Sequence, residues 1–378
     1  MSGPATVEDL LAAFLEIVRI PSPWGQERAL ADHVLAYLHD RGLEPWEDEA
    51  AQATGAGSGN IFVRIEGTGT EAGSGVPILL CAHLDTVHVD GPVEAVVDGG
   101  IVRSAGGTIL GADDKVAVNA LLALVDELAV RPPRADVEIL FTVCEEVGML
   151  GAKAFDLSRC RARAGFVLDS GGPLGDVIVS APARRAITAE FRGSAAHAGI
   201  EPQRGRSAVV AAARAVAAMR LGLVDELTTA NVGVIEGGVA INIVPERCVV
   251  HGEARSRDPQ RLAAQVAHML ETINVAAAEV GVDVAVDVAE SYQGFELSPR
   301  SLAARLAARA LRGIGMEPRF VGAGGGSDCN VFNARGLPSV NLSAGYERVH
   351  SSDEHVPVQA LADAHRLVRS LVAVAGTL

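Results

Sequence analysis

The sequence predicts an α/β protein in two parts. The larger part is discontinuous, with a mostly parallel mixed sheet flanked by helices, and a smaller α+β part is inserted into it. Three observations point there. Between residues 60 and 172, short apolar runs alternate with helical patterns, as βαβ units do. From about residue 176 to 295, longer strands are interleaved with two long helical stretches, which suits helices packed on one antiparallel sheet. From about residue 297 the first style returns. The implied boundaries are 1–180 with 293–378 for the larger part and 181–292 for the insert.

Apolar residues at helical spacing mark helices at Val7–Arg19 and Gln26–Arg41, and a strand follows at Asn60–Ile65. "GTGTEAGSG" (67–75) reads as a loop. "VPILLCAHLD" (76–85) has the length of a strand buried in a parallel sheet. "VAVNALLALVDELAV" (116–130) reads as a helix stopped by "PPR". "DVEILFTVCEE" (136–146) is a third strand, "GAKAF" opens a helix and "AGFVLDSGG" (164–172) is a fourth strand. In the insert, strands are expected at 176–193, 229–237, 246–256 and 282–295. Helices are expected at 205–223 and 258–281, the second behind Asp258 as N-cap. A helix at Ser301–Gly313, a Gly-rich loop, the strand "SVNLSAG" (339–345) and a helix near Gln359–Ala375 complete the chain.

The 378 residues carry a net charge of −15, which argues against nucleic acid because phosphate binding needs basic patches. No stretch approaches the ~20 apolar residues of a membrane span. The N-terminal segment lacks a basic start and reads as an amphipathic helix, not a signal peptide. The five cysteines (81, 144, 160, 248 and 329) are odd in number and form no CxxC pair, so neither a disulfide framework nor a thiolate zinc site is expected. A cytoplasmic setting follows. Cys81, Cys144 and Cys248 lie in apolar runs, as core cysteines do.

Taken singly, the polar residues at the strand ends have ordinary explanations. His83 and Asp85 in "HLD" share a face because the side-chain period of a strand is two, so the carboxylate could hold the imidazole. Asp113 in "GADDK" could cap the following helix, with Lys115 neutralising the pair. Glu145 and Glu146 could be a solvated strand end and Asp169 a cap. His350 and His355 could be surface histidines. Together they differ. His83, Asp113, Glu145/Glu146 and Asp169 all fall at or just after the C-terminal ends of expected parallel strands, the edge where open α/β sheets bind ligands. Mixed imidazole and carboxylate donors suit zinc, with manganese or cobalt as competitors, and several carboxylates suit a pair of ions.

The chain resembles the co-catalytic zinc peptidases and deacylases that include aminoacylase, carboxypeptidase G, acetylornithine deacetylase and peptidase T. The resemblance rests on "AHLDTV", "GADDK", "EEVG", "LDS", "GSAAHAG", "GGVAINIVP", "GGGSDCN" and "HSSDEHV", in that order over nearly the whole length. "GADDK", "GGGSD" and "HSSDEHVPV" are most similar to the peptidase T branch. The resemblance implies two divalent metal ions, most simply Zn2+. His83 and Asp169 would hold one, Glu146 and His350 the other, and Asp113 would bridge them through a residue whose following peptide is often cis. Glu145 would be the general base and Asp85 would orient His83. It makes the insert a lid and dimerisation domain, in which His197 would polarise the scissile carbonyl, in its own subunit or its partner's. Asn242 and Arg255 would contact substrate, Arg255 by clamping a carboxylate, unless it forms a strand salt bridge. The "GGGSD" loop would receive a substrate carboxylate on its amides. His88 matches no ligand position. Ala117 stands where many relatives have glycine, a change that removes no ligand.

The implied activity is amide hydrolysis of short peptides, as by a tripeptide aminopeptidase. The alternative is an N-acyl-amino-acid deacylase or carboxypeptidase. A homodimer through the lid is the one macromolecular partner expected, with neither nucleic acid nor membrane.

Overall fold

The computed structural model describes residues 5–69, 75–88 and 91–377. Most of the loop expected at 67–75 therefore lies outside the described residues. The chain forms two compact units: Met1–Val179 with Leu297–Gly322 and Ser327–Leu378, and Ser180–Glu296 with Ala323–Gly326.

The first unit is α/β. Its Ile78–His83 strand lies between Val137–Thr142 and Ala164–Ser170, parallel to both. Ser339–Ser343 continues the sheet in parallel beyond Ala164–Ser170. Antiparallel strands finish each side, Ile61–Ile65 on one and Asp176–Ala181 on the other. Every residue of Ile78–His83 and Val137–Thr142 is buried, which explains why those strands read as largely apolar runs without alternation. The helix expected at 116–130 spans Ala112–Val130 and is buried almost all round, as a central helix must be.

Two departures from the sequence expectation bear on function. The third strand stops at Thr142 instead of reaching Glu146. Cys144 has φ +51, and the N–H groups of Glu145 and Glu146 donate to the Asp85 carboxylate at 2.9 and 3.1 Å instead of joining a ladder. The chain turns there because a side chain has replaced the neighbouring strand as acceptor. The second departure is a small antiparallel sheet of Ala95–Asp98, Ile101–Ser104 and His355–Pro357. Its hairpin turns on Gly99 and Gly100, at φ +58 and +80. Left-handed backbone at both central residues is what a tight two-residue turn requires.

The second unit is an antiparallel sheet in the order Gly222–Asp225, Thr228–Gly237, Arg247–Ser256, Ala183–Arg192, Asp283–Tyr292. Helices Ala208–Ala218 and Pro259–Val280 pack on each other and on this sheet, and the Asp258 side chain caps the second by accepting from the Gln260 and Arg261 N–H groups. The stretch 176–193 is two strands interrupted at Pro182. The short Ala323–Gly326 segment belongs to this unit. The Ala323 N–H donates to the Ser180 carbonyl, and a Cβ on Gly326 would come within 2.6 Å of the Tyr292 ring, so only glycine allows that approach.

Candidate metal centre

Six strand-end and loop residues converge in the first unit. His83 ends its strand and Asp169 sits one residue before the end of another. Asp113 lies in a non-helical break (φ −79°, ψ 106°) at the start of Ala112–Val130. Its side chain therefore turns away from capping, and its peptide bond to Asp114 is cis. Glu145 and Glu146 follow Val137–Thr142, and His350 lies in the loop after Ser339–Ser343 at φ +59.

The distances are those of donors facing a common centre. His83 Nε2 is 3.3 Å from Asp113 Oδ1 and 3.9 Å from Asp169 Oδ1. His350 Nε2 is 2.9 Å from Glu146 Oε1 and 3.6 Å from Asp113 Oδ2. Asp113 thus touches both histidines through different oxygens. Ligand atoms of His83, Asp113 and Glu146 lie within 4.8 Å of one another, and so do those of His83, Glu145 and Asp169. The second grouping makes Glu145 a possible ligand as well as a possible base.

The electrostatics fit a bound cation. Burial raises the Glu145 carboxyl well above its ordinary range, and the charge of Asp169 adds to the rise. Asp169 is raised likewise, by burial and then by Asp113. Burial alone would raise Asp113 too, but hydrogen bonds from His350 and His83 outweigh it and hold that carboxyl low. His350 is pushed up to about 10, first by its hydrogen bond to Asp113 and then by that to Glu146. Metal ligands must be deprotonated, so metal uptake by these groups is coupled to proton release. Hard oxygen donors and two imidazoles, crowded and largely buried, fit divalent ions.

The supporting contacts refine the part expected of Asp85. His83 Nδ1 donates to the Asp85 main-chain carbonyl at 2.8 Å, while the Asp85 carboxylate is 3.6 Å away. Asp85 therefore sets the His83 tautomer through its backbone and spends its carboxylate on the Glu145 and Glu146 amides.

In the second unit, His197 is exposed, and its Nδ1 accepts the Gly199 and Ile200 N–H groups at 3.2 Å. The neutral ring thus carries its proton on Nε2. Asn242 is exposed, and its main-chain carbonyl accepts the Ala198 N–H at 3.0 Å, tying its loop to that of His197. Arg255 is not a free clamp. Its Nε and Nη2 donate to both Glu253 oxygens, at 2.7 and 3.2 Å, the strand salt bridge that was the simpler reading of this residue.

The sequence matches the profile of Peptidase family M20/M25/M40 over residues 79–374. The Bacillus subtilis protein YqjE is 37% identical over 364 residues, covering 96% of this chain and 97% of that one. The chain belongs to this family. The solved aminopeptidase PepT of Bacillus cereus is 36% identical, with a TM-score of 0.86 over 99% of this chain and 100% of that one. A Staphylococcus aureus tripeptidase is 34% identical, with a TM-score of 0.91 and full coverage of both chains. A Peptidase T of Aeromonas hydrophila is 29% identical over 72% of this chain and 67% of its own. This M20 chain is a metal-dependent peptide hydrolase of the peptidase T-like branch.

Several residues of this M20 site carried no readable signal. Tyr346, fully buried, donates its hydroxyl to Asp113 Oδ1 at 2.9 Å. Asp114, also fully buried, accepts the His83 N–H at 3.3 Å. Asp328, in "GGGSD", accepts from the Thr142 hydroxyl at 2.6 Å and so points into the sheet instead of toward solvent. Their neighbours are 31 to 233 residues distant, which no local pattern reports. His88 is exposed and in neither candidate ligand group. His355 is in neither group also. It sits on the small sheet, with Nδ1 2.9 Å from the Asp353 carbonyl. Cys81 is fully buried, as a core residue.

Proposed function

We propose that this M20 chain is a two-metal aminopeptidase that releases the N-terminal residue of short peptides, tripeptides foremost. The observation that carries the proposal is Asp113, which faces His83 through one oxygen and His350 through the other. That arrangement suits a shared ligand. His83, Asp113 and Asp169 would hold one ion, and Asp113, Glu146 and His350 the other, with Zn2+ the simplest occupant. The preference for peptides with a free amine rests on the full-length likeness to an aminopeptidase and a tripeptidase.

Ions bound there supply Lewis-acid polarisation of a carbonyl and acidify a water. The remaining work falls to the chain. Glu145, 8% exposed and raised by burial, takes a proton from the attacking water and returns it to the leaving amine. The Asp85 carboxylate fixes the Glu145 and Glu146 backbone, so neither side chain wanders. His197, in its own subunit or its partner's, is the residue proposed to offer an Nε2–H to the oxyanion. His350, 48% exposed, is the open side of the site.

The first unit is accordingly the catalytic domain and the second the lid. Exposed Leu223, Val239 and Ile241 on the second unit favour a homodimer through that domain. A single monomeric species in sedimentation equilibrium removes the dimer from the proposal.

Metal-reconstituted protein should be given one tripeptide with a free amine and the same tripeptide N-acetylated, alongside N-acyl amino acids. The free tripeptide is expected to exceed the acetylated one in kcat/KM by on the order of 10²-fold or more, because a site built to pair an amine is left unpaired without it. Preferential cleavage of N-acyl amino acids, dependent on a free α-carboxylate, establishes the deacylase alternative instead.

A further inference from the structure

A carboxylate outside the ligand set ties the two halves of the second metal group together. Glu354 lies four residues beyond His350 and is 1% exposed. Its Oε2 accepts the Gly111 N–H at 2.7 Å and its Oε1 accepts the Asp113 N–H at 3.0 Å. One side chain from the His350 loop thus grips the main chain on which Asp113 stands.

Gly111 and Asp113 stand at the N-terminus of Ala112–Val130, where backbone N–H groups have no helical partner, so an acceptor must come from elsewhere. A remote cap for the helix is the plainer role. Three further contacts go beyond capping. The His350 loop is closed at its base, where Glu347 and His355 exchange backbone hydrogen bonds at 2.9 and 3.1 Å. The Glu354 N–H donates to the Ser351 carbonyl at 3.1 Å, and the Ser351 hydroxyl donates to the Arg348 carbonyl at 2.7 Å, so the loop is also braced internally. His355–Pro357 is anchored in the small sheet against Ile101–Ser104. A loop closed at its base, and gripping the Asp113 main chain through Glu354 beside that base, determines the separation of His350 from Asp113.

We propose that Glu354 is a positioning residue for the second metal group, Asp113, Glu146 and His350. It acts by fixing the Asp113 backbone relative to the His350 loop. This rests on the two-metal reading of the site. Glu354 touches no substrate and ligates no ion. Its effect falls chiefly on the group that includes His350: Asp113 is shared, but the other donors of the first group, His83 and Asp169, are carried by their own strands.

The test is Co2+ titration of metal-stripped wild type and Glu354→Gln, followed by the cobalt absorption spectrum and by tripeptide hydrolysis. Glutamine keeps the shape but presents an NH2 to one of the two N–H donors. The first equivalent is expected to bind nearly as in wild type, since His83 and Asp169 keep their places on their strands. The second should weaken by ~10–100-fold, the usual consequence of losing a contact behind the ligands, and lose its spectral increment. Excess Co2+ should restore kcat with KM unchanged. Glu354→Asp, which keeps the charge but is one methylene too short to reach both amides, should show the same selective loss and serves if the glutamine variant does not fold. Equal weakening of both equivalents, or no weakening of either, overturns the inference and leaves Glu354 a helix cap. Fewer than two equivalents in wild type overturns the two-metal reading itself, and is seen before any substitution is made.

Discussion

Replacing Glu145 by alanine is expected to lower kcat for tripeptide hydrolysis by ~10²–10⁴-fold, the span general bases contribute, while the metal content stays at the wild-type level. The prediction separates two roles that the geometry permits. Glu145 lies within ligand distance of His83 and Asp169, yet it is also the one acid of the cluster outside the two ligand sets proposed around Asp113. Its backbone is fixed by Asp85 independently of any ion, so truncating the side chain should leave the turn in place. If the variant loses an ion along with its activity, Glu145 is a ligand and the base lies elsewhere. Near-normal turnover ends its catalytic role altogether.

Asp113→Ala should have the larger effect on metal. Removing a contact behind a ligand costs ~10–100-fold in affinity, and losing a carboxylate that both groups share should exceed that for both ions at once. The two sites should empty together in elemental analysis, with hydrolysis lost. The fold should survive, since the sheet is packed by apolar residues such as Phe141, Phe166 and Val340, not by the cluster. Loss of one ion with tight retention of the other makes Asp113 a ligand of a single site.

The sequence disclosed the fold through its parallel strands, because burial on both faces leaves runs such as Ile78–His83 and Val137–Thr142 nearly free of polar residues. His83, Glu145, Glu146 and Asp169 stood out for the same reason: each is an ionisable group just where an apolar run ends. His83 and His88 were locally alike. Only convergence with Asp113 and Asp169 distinguishes them.

What stayed hidden has a common physical cause. The end of the third strand at Thr142 depends on Asp85 capturing two amides some 60 residues away, and Glu354 acts on amides more than 240 residues distant. Periodicity and turn chemistry report neighbours in sequence, and these contacts are made by side chains that replace a backbone partner across the fold. The Gly99–Gly100 hairpin is different. Two adjacent glycines between apolar strand residues were a legible turn signal, and the small sheet they begin anchors the His350 loop. Arg255 shows the converse. A strand arginine reads as a substrate clamp or as an ion pair until Glu253 is seen to pair with its Nε and Nη2.

The most direct test of a two-metal peptidase is to strip the protein with chelator and titrate Zn2+ back, following bound metal and tripeptide hydrolysis together. Two equivalents per chain are expected, with hydrolysis absent from the stripped protein and restored as the ions return. A single equivalent, none, or full hydrolysis by the metal-free chain contradicts it.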